Sequence, residues 1–69
     1  MLEFELNGTE FIELNKLLKI KNLVGTGGEA NIRIDSGEVK VNGEVETQKR
    51  KKIRSGYKVE FQDFTIIVK

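Results

Sequence analysis

The chain of 69 residues contains no cysteine, no histidine and no proline. Without cysteine, no disulfide can staple the fold and no thiolate can bind zinc. Without histidine, the commonest general base, the commonest metal ligand and the usual near-neutral pH switch are all missing. No apolar run approaches the roughly 20 residues that a bilayer-crossing helix needs. The opening "MLEFEL" is acidic and alternating, unlike a secretory signal. There is no internal repeat, low-complexity tract or linker, so residues 1–69 read as one small domain. A soluble cytoplasmic protein with no membrane contact is expected. A chain of this size buries only roughly 60% of its unfolded surface, so the fold must rest on a compact apolar core.

The formal net charge of +1 conceals a segregation of charge. Residues 1–48 carry five Lys/Arg against nine Asp/Glu, a balance of −4. Residues 49–69 carry seven against two, a balance of +5. Net charge alone suggests no polyanion partner, but its distribution does.

The hydrophobic pattern predicts an α+β fold. Leu2, Phe4 and Leu6 alternate with Glu3 and Glu5 as in a half-buried strand, and Asn7-Gly8 is a turn signal. Phe11, Leu14, Leu17 and Leu18 form one apolar stripe, predicting a helix over 10–18 with Lys16 and Lys19 near its end. Thr26 with Glu29 three residues on has the spacing of a capping box, predicting a second helix over 27–36 that Gly37 stops. Val39 and Val41 then flank an Asn42-Gly43 hairpin turn, and Val45 is expected to resume the apolar face. Ile53 is the one apolar anchor in the polar stretch Glu46 to Arg54. After Ser55-Gly56, Tyr57, Val59 and Phe61 alternate, and beyond Gln62-Asp63 so do Phe64, Ile66 and Val68. The expected order is β-α-α-β-β-β-β, two short helices packed on one face of a small, mainly antiparallel sheet. Phe4, Phe11, Phe61 and Phe64 all fall at apolar periodic positions and read as core.

Little points to catalysis. The carboxylates lie in polar faces or turns, where nothing would raise their pKa, and no serine or threonine has a histidine beside it in the chemistry of a triad. An enzyme is not expected, nor a cofactor or metal. "GTGGEA" opens a helix as phosphate cradles do. It lacks the Lys-Ser/Thr of a P-loop, however, and follows a helix rather than the strand of a dinucleotide fold. The backbone of Thr26, Gly27 and Gly28 remains a candidate to hold one phosphate of a polymer. The strongest chemical signal is "KRKKIR", Lys49 to Arg54, with five cations in six residues. Their mutual repulsion would be relieved by a polyanion, and Ile53 would hold the run on a fixed surface. Lys40 and Arg33 could extend it. Taken alone, the run fits a binding surface and a solvated loop about equally well. No aromatic pattern of the single-strand RNA readers is present.

The order of these features resembles the RNA-binding domain first named from small-subunit ribosomal protein S-four, in its stand-alone bacterial branch, the YbcJ/YaaA-like proteins. The resemblance spans Phe4 to Val68 and is carried by "LNKLLKIKNLVGTGGEA" (Leu14 to Ala30) and "GEVKVNGEVET" (Gly37 to Thr47). It implies an alpha-L RNA-binding motif, non-catalytic by itself, whose second helix and following hairpin hold structured RNA by its phosphates. Many relatives open helix one with Arg-Leu-Asp-Lys; here Glu13, Leu14, Asn15 and Lys16 stand there, and only Lys16 keeps the charge. Where many relatives carry Ser-Arg at the start of helix two, Thr26 keeps the cap but Gly27 replaces the arginine. Asn31 replaces a frequent lysine, and Gly56-Tyr57 a frequent Gly-Asp. The resemblance therefore implies that contact shifts to Lys49, Arg50, Lys51 and Lys52, with Arg54, Lys40, Arg33 and Lys16 extending the patch. The implied partner is ribosomal or transfer RNA, bound by a ribosome-associated monomer. The rival expectation is a protein-interaction module using the acidic first half.

Overall fold

Asn7 and Gly8 both sit at positive φ, 53° and 90°, and turn the chain out of its first strand, β1 (Leu2–Phe4), as the Asn-Gly signal predicts. A computed structural model describes residues 1–69. Thr9 follows at the end of the turn. Its hydroxyl and its amide both donate back to the Leu6 carbonyl, at 2.7 and 3.2 Å, closing the turn. The next residues stay extended as a two-residue strand, β2 (Ile12–Glu13), and helix α1 runs over Leu14–Ile20. The predicted helix over 10–18 therefore starts four residues late, because the segment before it is taken up by strand pairing. The apolar stripe survives, with Leu14, Leu17 and Leu18 fully buried.

Both helices stop in the same way. After α1, Asn22 takes φ 60° while the Asn22 and Leu23 amides donate back to the Lys19 and Leu18 carbonyls. After α2 (Gly27–Asp35), Gly37 takes φ 83° while the Gly37 and Glu38 amides donate to the Ile34 and Arg33 carbonyls. These are Schellman closures around a left-handed residue. At its start, α2 is capped as its sequence implies, with Thr26 Oγ1 accepting from the Glu29 amide at 3.0 Å. Glu29 Oε1 in turn accepts from the Gly25 amide at 2.8 Å, one residue earlier than in a standard capping box.

The remaining strands are β3 (Val39–Val41), β4 (Glu44–Val45), β5 (Lys52–Ile53), β6 (Lys58–Phe61) and β7 (Phe64–Val68). Five of them form a sheet in the order β1-β7-β6-β3-β4, antiparallel except for the β1–β7 pair. The two helices cover one face, as expected. Val39, Val41, Val59, Phe61, Ile66 and Val68 point into it and join Leu17, Leu18, Ala30 and Ile34 in a single core. A second sheet of two short strands, β2 and β5, adds two elements that the predicted order lacked.

Register explains two further departures. The two-residue turn at Asn42 (φ 53°) and Gly43 (φ 89°) pairs Val41 with Glu44 and Lys40 with Val45. Val45 therefore shares the face of Lys40, away from the helices, and is 55% exposed instead of resuming the core. Phe64 lies on the inner side by parity, but at the rim beside the Gln62-Asp63 turn, and is 44% exposed. Of the four phenylalanines expected in the core only Phe61 is fully buried, while Phe4 and Phe11 are half-buried.

Candidate nucleic-acid interface

The first residues of α1 have no preceding turn to accept their amide protons, and Glu13 at the N-cap offers no side-chain acceptor. The basic segment supplies the acceptors. The Leu14 amide donates to the Lys51 carbonyl at 2.9 Å and the Asn15 amide to the Lys49 carbonyl at 3.0 Å. Two residues of the run, Lys49 and Lys51, are thereby tied by their own backbone to the entry of a helix. Ile53 fixes the other end, fully buried and paired across to Ile12. The anchoring role of Ile53 was legible in the sequence, but the backbone seam to α1 was not.

Strand alternation decides which side chains leave this small sheet together. Ile12 and Ile53 point inward. Phe11, Glu13, Lys52 and Arg54 share the opposite face, with Glu13 directly across from Lys52. Lys52 Nζ stands 5.0 Å, and the Arg54 guanidinium carbon 5.6 Å, from the centre of the Phe11 ring. Each such contact at an exposed site contributes about 0.5–1 kcal/mol. Phe11 is thus a half-buried platform beneath two cations. The signal for it is the antiparallel pairing of Ile12-Glu13 with Lys52-Ile53, which two-residue strands are too short to announce by period.

Glu13 is the charge centre on the other side. Its Oε2 accepts from Arg50 Nε at 2.8 Å, and its Oε1 lies 3.8 Å from Lys16 Nζ. The Arg50 hydrogen bond holds the Glu13 carboxyl below the usual glutamate range, against an opposing effect of partial burial. Glu13 thus draws the Arg50 guanidinium from the loop to the entry of α1.

The sequence-derived site residues divide accordingly. Lys16, Lys49, Arg50, Lys51, Lys52 and Arg54 are gathered around the α1 entry. Lys49, Lys51, Lys52 and Arg54 make no ion pair, whereas Lys16 and Arg50 share Glu13. Arg33 is engaged elsewhere, 3.6 Å from Glu29 and 3.1 Å from Glu38. Lys40 stands on the sheet face opposite the helices, across from Val45 and Glu60. At Thr26, Gly27 and Gly28 the helix start already has the Glu29 carboxylate close by, bound to the Gly25 amide. Asn31, which offers no charge, accepts a hydrogen bond from Asn15 Nδ2 at 3.1 Å and joins the two helices beside the basic segment.

Beside the platform a cleft of about 580 Å³ opens between the Phe4–Thr9 turn and β2, with Arg50 at its edge. No helix of the structure is long and apolar enough to cross a membrane.

Comparison with known proteins gives a consistent family. Residues 4–69 match the family model described as the S4 domain. The chain is 41% identical over 68 residues to "Putative RNA-binding protein YbcJ" of Escherichia coli (strain K12), covering 99% of this chain and 97% of that one. The same identity and coverage hold for "Uncharacterized protein YbcJ" of Shigella flexneri. Among solved structures it is similar to the solution structure of Escherichia coli YbcJ, with a TM-score of 0.76 and 41% identity over 99% of this chain and 86% of that chain. That structure is described as revealing an αL motif involved in RNA-binding.

Proposed function

The chain belongs to the S4 domain family, and on that premise we propose that it is a non-catalytic RNA-binding module. Residues 1–69 act as one unit that grips structured RNA, ribosomal or transfer RNA, in the cytoplasm and as a monomer. Support comes chiefly from the seam between the basic segment and α1. Because Lys49 and Lys51 give their carbonyls to the Asn15 and Leu14 amides, the cations of the run are presented from an ordered backbone. Less side-chain and loop entropy is then lost when phosphates bind.

Lys49, Lys51, Lys52 and Arg54 are the primary phosphate contacts, with Lys16 and Arg50 beside them. Lys40, Arg33 and the Thr26-Gly27-Gly28 backbone are outer contacts for an RNA large enough to reach them. Contacts to phosphate fix position and carry no sequence information, so recognition is mostly of shape.

Neutralising about five phosphates gives a log–log salt slope of about −3 to −5. Replacing Lys49, Lys51 and Lys52 together with alanine keeps the backbone carbonyls that cap α1 while removing three charges. Titration of ribosomal and transfer RNA over a salt series should show weaker binding and a shallower slope. Unchanged affinity and slope would overturn the assignment. A stable protein partner that survives ribonuclease treatment, with no nucleic acid co-purifying, would favour an interaction module built on the acidic first half.

A further inference from the structure

The cleft beside the basic segment differs in character from a phosphate-binding surface. Its floor is apolar and aromatic, from Phe4, Phe11 and Ile12, and its rim is polar, with Glu5, Asn7 and Arg50. Its volume, about 580 Å³, lies in the range of small-molecule sites. It is continuous with the cationic run: Arg50 lines it, and Phe11 is both part of its floor and the ring beneath Lys52 and Arg54.

Glu5 is the informative residue. It is exposed, makes no ion pair and lines the cleft, unlike Glu13, whose carboxylate is already held by Arg50 and Lys16. A free carboxylate beside a polyanion site repels phosphate. What it accepts from a nucleic acid is a base edge that presents N–H donors. Guanine offers two on adjacent atoms of its Watson–Crick edge, N1–H and N2–H, matched to the two oxygens of one carboxylate. Such edges are available in RNA where a base has left its helix and stacks on an aromatic side chain.

Resting on the RNA-binding reading above, we infer that the cleft receives one unpaired guanine from a structured RNA whose backbone lies on the Lys49–Arg54 segment. The base takes the accessible face of Phe11 from the Lys52 and Arg54 head groups, which turn with Arg50 to its flanking phosphates, and its Watson–Crick edge donates to Glu5. The module then recognises a bulged or flipped nucleotide in addition to helix shape.

The test uses the full chain and three hairpin RNAs at one fixed salt concentration: one fully paired, one with a single bulged guanine, and one with a bulged adenine. Base stacking on an aromatic side chain alters affinity by about tenfold or more, so the guanine-bulged hairpin should bind at least tenfold tighter than the paired one. It should also exceed the adenine-bulged one. Glu5→Gln, at an exposed position where folding is not at risk, should abolish the preference for guanine over adenine. Phe11→Leu should reduce the ratio of bulged to paired affinity, each variant being compared with its own paired hairpin. Equal affinity for all three hairpins would overturn the cleft assignment while leaving phosphate binding intact. So would a guanine preference that survives in Glu5→Gln. No binding to any hairpin would remove the RNA-binding reading and the cleft assignment with it.

Discussion

The Arg50 guanidinium donates from Nε to Glu13 Oε2 across 2.8 Å, joining the basic segment to the residue at the N-cap position of α1. The pair holds a loop cation beside the helix entry, and it sets a carboxylate in competition with phosphate for that cation.

Glu13→Gln should therefore raise affinity for structured RNA a few-fold at low salt, because it frees Arg50 and Lys16 and removes a negative charge from the surface. Filter binding or anisotropy over a salt series checks this, and the gain should shrink as salt screens the charges. A loss of affinity would mean that holding Arg50 in place matters more than releasing it.

Acid should loosen the same contact. The Glu13 carboxyl is held below the usual value by Arg50, and that of Glu3 by the hydrogen bond from Lys69, whose own pKa is raised by Glu3. A depressed carboxylate contributes stability that is fully present above the ordinary glutamate value of about 4.3 and is lost as pH falls through the lower, folded-state value. Thermal midpoints should be flat with respect to these carboxylates above about pH 5 and decline below about pH 4, with a smaller decline in Glu13→Gln. The raised Lys69 value acts at the alkaline end, where its contribution fades as pH rises through its folded-state value.

Ile53→Ala should destabilise the domain by about 2–5 kcal/mol, the usual range for truncating a fully buried isoleucine. Ile53→Val should cost only about 1 kcal/mol and retain RNA affinity, since the seam to α1 is made by backbone. Urea denaturation measures both.

Gly43→Ala forces a Cβ into a backbone at φ 89° and should cost about 1–2 kcal/mol, although nothing lies near enough to clash with it. Asn42→Ala should also destabilise, because Asn42 Oδ1 accepts from the Lys58 amide at 2.9 Å and ties the turn to β6. Thr26→Ala removes the α2 cap and should cost about 1 kcal/mol. The same denaturation series ranks the three.

Features that rest on a single strong local preference were legible in the sequence. The Asn42-Gly43 turn, the Thr26 cap, the Gly37 stop and the buried Ile53 all stand where the residues imply. Features that depend on distant pairing were not. Phe11 fits a helical stripe as well as an extended segment, and only the pairing of the next two residues with Lys52-Ile53 keeps it out of the helix. Val45 is apolar, but the length of the hairpin turn sends it to the outer face. For the candidate site, the identity of the basic run was plain from composition. Its order came from carbonyls, which no side-chain pattern reveals, and its partner Glu13 stood out only as a departure from the pattern that the resemblance implies.

The parallel pairing of Leu2–Phe4 with Phe64–Val68 has a consequence for how the chain folds. β1 hydrogen-bonds along its length to the strand furthest from it in sequence, and β7 is also what joins β1 to β6. Closing so long a loop costs entropy before the pairing repays it. The helices and the hairpins rest on nearer contacts and form without it, so the docking of β1 completes the sheet.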